Sequence, residues 1–262
     1  MKPSPTDNDP IPHRYPNLAP LTGLTVDQIS TIYTLAVQRL PTRPGRPWTQ
    51  PLPVRVLLVP IHLRTNLTTR ALAALFGTSQ SVVDRVLHHL MPVLAHTPAP
   101  SPDDGQHRWI IDGTPIPVHD QSITAISKNY RRSINTQIII CAQRRRIVVA
   151  GRCWPGNRND VIVARNTVAH PPAGHHVVGD GGYRGTTSIT TPRRDHTSRI
   201  VHDGHHRTHR RTRARVEHVI ARLKDCQIPR QYRRPGEAIN HSLQIIAGLL
   251  NLKTHTQLRV TS

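Results

Sequence analysis

Apolar positions along the chain fall into two textures. In the first third they recur at helical spacing. Val26, Ile29, Ile32, Tyr33, Val37 and Leu40 predict a helix from Thr25 to Leu40, with Thr25 as its N-cap. The prolines and glycine of PTRPGRPWTQPLP, 41–53, predict an irregular linker. Val54 to Leu63 predicts an apolar helix interrupted at Pro60. In LTTRALAALFGTSQSVVDRVLHHLMPVLA, 67–95, Thr68 or Thr69 caps a short helix with Leu72, Leu75 and Phe76 on one face. Gly77 ends it, and Thr78 or Ser79 caps a second helix carrying Val82, Val83, Val86, Leu87 and Leu90. Helix, short glycine turn, helix is the helix-turn-helix pattern, although a plain αα-hairpin has the same signature. In the DNA-binding version the start of the second helix faces the duplex, here Gln80, Ser81, Asp84 and Arg85.

Beyond a Pro- and Asp-rich stretch at 96–106 the runs become short and continuous. Arg108 to Asp112, Thr136 to Gln143 and Ile147 to Cys153 predict three strands, the last two joined as a hairpin at Arg144–Arg146. Asp160 to Ala169 predicts a helix, His175 to Val178 a fourth strand, Thr212 to Lys224 an amphipathic helix and Ala238 to Leu252 an apolar one. The fold class expected is α/β (α+β): a mixed β-sheet flanked by helices, preceded by a small all-α domain. The divisions expected are a disordered tail over 1–20, a helical DNA-binding domain over 21–98, a linker over 99–106, the α/β domain over 107–255 and a tail over 256–262.

Charge changes the picture. The 262 residues carry 35 Lys and Arg against 15 Asp and Glu, a formal net charge of +20. Of the basic residues 31 are Arg, the side chain that meets phosphate bidentately, so a polyanion is the expected partner. The basic run Arg207, Arg210, Arg211, Arg213 and Arg215 has no acid within it and is expected to grip DNA phosphate. Three dispersed cysteines without a C-x-x-C argue against a disulfide scaffold or a cysteine zinc site. No apolar run is long enough to span a membrane, and a cytoplasmic location on DNA is expected. No P-loop is present, so no ATP is expected. His202, His205, His206 and His209 crowd one predicted loop. His205 and His209 have zinc-compatible spacing but no evident third ligand.

Against this basic background a few acids stand out. Asp112 is predicted to end the first strand and Asp180 the fourth, inside VVGDGGYRG. Glu217 is one of only two glutamates in the chain. Three carboxylates gathered at one end of a mixed sheet repel each other unless a cation lies between them. Hard divalent ions take such oxygen ligands, and two of them can serve phosphoryl transfer. A basic protein with this trio reads as a metal-dependent enzyme acting on nucleic-acid backbone, with Mg²⁺ or Mn²⁺ as cofactor. The glycines around Asp180 read as a turn that leaves room for metal and phosphate, with Tyr183 and Arg184 near the incoming strand.

IIDGTPIPV (110–118), SKNYRRSINTQIII (127–140), WPGNRNDVIVAR (154–165), VVGDGGYRG (177–185) and RARVEHVIARLK (213–224) together resemble the DDE transposases of bacterial insertion sequences, specifically insertion-sequence family 5 and its Harbinger-like relatives. The resemblance covers about 100–255. It implies an RNase H-like catalytic domain with Asp112, Asp180 and Glu217 as catalytic metal ligands. The family's last block places Tyr, Arg, Glu and Lys at set intervals; Arg213, Glu217 and Lys224 match, and Arg210 stands at the tyrosine position. Asp160 matches a commonly acidic position and is taken as structural or supporting rather than as a ligand. The function implied is metal-dependent cleavage and strand transfer at terminal inverted repeats, by a homodimer that also engages target DNA. Two other readings remain from the residues alone: a domesticated DNA-binding protein without catalysis, and an RNase H-like nuclease acting on RNA.

Overall fold

The structure is a computed structural model that describes residues 18–41, 47–95, 107–126, 131–168 and 175–260, with side chains as far as position 254. The expected linker over 99–106 lies outside the described residues, as do positions 1–17 of the expected tail. The chain divides into two compact units, one of residues 1–97 with Cys226–Ile228, the other of 98–225 with 229–262.

Among the described residues, the first unit contains the helices α1 (Ala19–Thr22), α2 (Val26–Arg39), α3 (Leu52–Thr65), α4 (Thr69–Leu75) and α5 (Gln80–Ala95). Thr25 caps α2 in a full capping box with Gln28, as its position predicts. Leu18 is buried and α1 begins one residue later, inside the range 1–20 expected to be a tail. α3 also starts two residues early, since Pro53 falls in its first turn, where a missing N–H costs nothing. Nor does Pro60 interrupt it. Val54, Val56, Leu57, Leu58, Val59, Ile61 and Leu63 are each at most 4% exposed. Each such side chain gains about 1.5–3 kcal/mol by burial, which together outweighs a proline penalty of about 3 kcal/mol.

In the α4–α5 pair, Thr68 Oγ1 accepts from Ala71 N–H at 3.1 Å and Ser79 Oγ from Val82 N–H at 3.3 Å. Gly77 makes the turn with φ +60°, a conformation that suits glycine. One predicted core position is wrong: Leu75 is 54% exposed, and Leu72 with Ala73 supplies the buried face. In a helix this short only one narrow stripe reaches the core.

The second unit is built on a mixed sheet. Its strands are β1 (Trp109–Pro117), β2 (Ala125–Ile126), β3 (Arg132–Cys141), β4 (Ile147–Ala150), β5 (Trp154–Pro155), β6 (Val177–Val178) and β7 (Ile189–Thr190). The order is β2-β3-β1-β6-β7, with β4 and β5 also on β3. β1 runs antiparallel to β3 from Trp109↔Cys141 to Pro117↔Ser133, and parallel to β6 only at Trp109 and Ile110. The helices are α6 (Asp160–Thr167), α7 (Gly204–Leu223) and α8 (Ala238–Val260).

Several boundaries differ from the sequence reading; β3, for one, begins at Arg132 and not at Thr136. β1 continues five residues past Asp112, because from Asp112 on it pairs with a strand on one side only and tolerates Pro115 and Pro117. α7 begins at Gly204, with Asp203 Oδ1 accepting from His206 N–H at 2.8 Å, so His205 to His209 are helical and not a loop. α8 runs on to Val260 rather than giving way to a tail at 256. The sheet core is aliphatic around Ile110, Ile111, Ile138, Ile139 and Val177, with Tyr183 and Tyr232 fully buried. Among the described residues no helix is long and apolar enough to cross a membrane.

Candidate active site

Asp112 stands fourth in β1, beyond the reach of β6. Its side chain is 19% exposed and its Oδ1 accepts from Gly113 N–H at 3.0 Å. Burial raises its pKa from 3.8 to about 6; nearby Arg213 opposes this, and the carboxylates of Asp180 and Asp160 reinforce it. Asp180 lies two residues past β6, where it caps the 3₁₀ turn Gly181–Tyr183 and accepts from Gly182 N–H at 2.7 Å. The turn is needed for that cap and also for packing: a Cβ on Gly179 would stand 2.7 Å from Tyr183 Cδ2 and 2.8 Å from Ile189 Cγ2.

Glu217 lies one turn beyond Arg213 on α7, with a side chain 57% exposed. Arg213 stands between the acids, its Nη2 3.8 Å from Asp112 Oδ1 and 3.7 Å from Glu217 Oε1. Lys224 also faces Asp112; burial and Arg230 lower its pKa while Asp112 raises it. The structure therefore groups Asp112, Asp160 and Asp180 and links Glu217 to them through Arg213. Among the described residues no three His, Cys, Asp or Glu side chains are close enough to share one cation. That includes His205 and His209, which α7 sets one turn apart near a cavity of about 690 Å³ lined by His176, Thr190, Arg193 and His206.

Of the expected DNA contacts, Arg184, Arg207, Arg210, Arg211 and Arg215 are exposed. Arg215 also donates to the Ala142 carbonyl at 3.0 Å. Gln80, Ser81 and Arg85 are exposed at the start of α5. Tyr183 corrects the sequence reading: it is fully buried and cannot meet an incoming strand. Its hydroxyl donates to Gln137 Oε1. Gln137 and Asn135 in turn donate to Asp160 Oδ1 at 3.2 and 2.7 Å. This polar chain was missed. Its signal was Gln137, an amide at the head of the apolar run IIIC. Also missed was Trp48, whose ring is 4.8 Å from the Arg55 guanidinium and 5.7 Å from that of Arg85. Such stacking holds an arginine extended.

Tyr183→Phe is expected to lower stability by about 1–3 kcal/mol, because Gln137 is 0% exposed and its Oε1 would lose its donor. Urea unfolding measures this directly; an unchanged midpoint would mean that the hydrogen bond contributes nothing.

A carboxylate cluster on a mixed sheet, in a chain with a helix-turn-helix, defines a class of nucleic-acid enzyme, and similarity to known proteins gives it a family. Residues 105–252 match the family described as "Transposase DDE domain", and residues 51–100 match "Helix-turn-helix of DDE superfamily endonuclease". The chain belongs to the DDE transposases, DNA-binding enzymes with an RNase H-like domain behind a helix-turn-helix. It is 40% identical over 247 residues to a putative transposase for insertion sequence element IS112 from Streptomyces albus G, covering 90% of this chain and 94% of that one. No solved structure matches. DDE superfamily nucleases use divalent metal ions, and the hard oxygen donors at Asp112 and Asp180 fit such an ion.

Proposed function

We propose that the protein cleaves DNA at the terminal inverted repeats of its own insertion sequence and joins the freed ends to target DNA. Asp112, Asp180 and Glu217 would hold Mg²⁺ or Mn²⁺, as two ions. The observation that supports this most is the crowding of Asp112 with Asp160 and Asp180, which leaves more negative charge than Arg213 and Lys224 on their own balance. When bound, a divalent cation there would supply the activation of a water or 3′-hydroxyl and charge stabilisation at the leaving oxygen. Arg213 holds Asp112 and Glu217 on one side of the site until it is released to phosphate. The exposed arginines of α7 track the DNA backbone, and Gln80, Ser81 and Arg85 read the repeat from the start of α5. Two copies at paired ends, and placement in insertion-sequence family 5, complete this reading; both rest on the resemblance of the motifs.

Glu217→Gln tests the least buried member of the trio. On a duplex carrying the DNA that flanks the gene, wild-type protein with Mn²⁺ is expected to nick at the repeat boundary. The variant is expected to bind equally well and to nick at least about a hundredfold more slowly. Equal nicking by the variant would remove Glu217 from the site.

A further inference from the structure

Asp160 opens α6, yet the hydrogen bonds to its carboxylate come from another element. Asn135 Nδ2 and Gln137 Nε2, both on β3, converge on Oδ1 at 2.7 and 3.2 Å. Asn135 and Gln137 are neighbours on one face of β3, since side chains alternate along a strand. The Gln137 amide has its direction set from the far end, because the buried Tyr183 hydroxyl occupies Oε1 and leaves Nε2 for Asp160. Tyr183 belongs to the same 3₁₀ turn that Asp180 caps. A continuous polar chain thus runs from the Asp180 turn through Tyr183 and Gln137 to Asp160.

At its other end Asp160 abuts the backbone that carries Asp112. A Cβ on Gly113 would overlap Asp160 Oδ1 and stand 2.9 Å from Gln137 Nε2, so residue 113 must lack one. Oδ1 is consumed by the two amides. Oδ2 turns the other way, toward Gly182: a Cβ there would lie 3.6 Å from Asp160 Oδ2 and 2.9 Å from Asp180 Oδ1. Asp160 Oδ2 and Asp180 Oδ1 therefore both lie against Gly182. An acid that served only to begin a helix would not need a clamp of two amides from a neighbouring strand.

We propose that Asp160 is a positioning residue of the metal centre: a fixed negative charge between the segments bearing Asp112 and Asp180 that tightens cation binding there. This rests on the metal-site reading given under Proposed function. Asp160 acts in two ways. Its Oδ1, through the amide clamp, sets the spacing of β1 and the Asp180 turn. The charge at its Oδ2 adds to the attraction for a divalent ion at the neighbouring carboxylates.

Asp160→Asn separates these roles, because Asn keeps an Oδ1 acceptor for both amides and puts a neutral NH₂ where the charged Oδ2 stood. Mn²⁺ binding to the full chain without DNA, followed by the loss of the free-ion paramagnetic resonance signal, is the readout. The variant is expected to bind Mn²⁺ about tenfold to a hundredfold more weakly than wild type, with a thermal midpoint in EDTA no lower than that of wild type and unaltered DNA binding. Wild-type Mn²⁺ affinity in Asp160→Asn, with affinity lost in Asp180→Asn, would overturn the proposal and leave Asp160 a purely structural group. Wild-type affinity in both variants would instead overturn the metal-site reading, and this proposal with it. A second measurement needs no variant. Mn²⁺ is expected to broaden the Asn135 and Gln137 side-chain amide resonances of the wild-type protein before those of other buried amides. Sharp signals at saturating Mn²⁺ would count against the proposal.

Discussion

Asp112→Asn is expected to abolish strand cleavage and, in the same protein, to raise stability at neutral pH without metal. The two effects share one cause. Asp112 is buried on β1 with Asp180 and Asp160 nearby, and its pKa is raised from 3.8 to about 6. A carboxylate whose folded pKa lies above its unfolded one favours folding below the unfolded value, where both states are protonated. It costs stability as the pH rises through the folded value, here through about 6. By pH 7.5 the cost approaches about 3 kcal/mol, since each tenfold change in proton affinity is worth about 1.36 kcal/mol. Asn carries no such charge. Its melting temperature in EDTA is expected to exceed that of wild type by several degrees at pH 7.5, and the gap is expected to close toward pH 4. Cleavage with Mn²⁺ is expected to fall by at least about a thousandfold, as for other groups that stabilise charge in the transition state. A variant that is inactive but no more stable at pH 7.5 would mean that Arg213 already neutralises the site.

Replacing Arg207, Arg210 and Arg211 by Gln is expected to weaken DNA binding by about two orders of magnitude near 0.1 M salt. All three are exposed on α7, on the turns leading to Arg213 and Glu217. Each phosphate left without its arginine lowers the slope of log affinity against log salt by about 0.9, so the slope of the triple variant is expected to be shallower by about two to three. Preference for the repeat over unrelated duplex should survive, because phosphate contacts carry no sequence information. A triple variant with the wild-type slope would place the DNA path elsewhere.

Much of this was legible in the residues, for particular reasons. Thr25, Thr68 and Ser79 stand at helix starts because their hydroxyls satisfy free N–H groups, and that signal is local. Asp112 and Asp180 were recognisable as acids at the ends of apolar runs. What was missed depends on partners distant in sequence. The length of β1 is set by its pairing with β3, so Asp112 lies within the strand and not at its end. Continuity through Pro60 depends on how many sides of α3 are buried. Tyr183 in a glycine-rich turn resembles an exposed residue until Gln137, 46 positions away, is found at its hydroxyl. Asp160 owes its clamp to Asn135 and Gln137, on a strand that precedes it by more than twenty residues. Local chemistry announces caps and acids; burial and long-range pairing decide what those groups touch.

Strand cleavage by wild-type and Asp180→Asn protein bears most directly on the metal-dependent transposase assignment. Both would be incubated with the duplex that flanks the gene, in Mn²⁺ or in EDTA, and the ends mapped. Wild type is expected to cut at the repeat boundary only with Mn²⁺, leaving a 3′-hydroxyl, while Asp180→Asn binds the duplex and cuts nowhere. Cutting in EDTA, or cutting by Asp180→Asn at the wild-type rate, would contradict it.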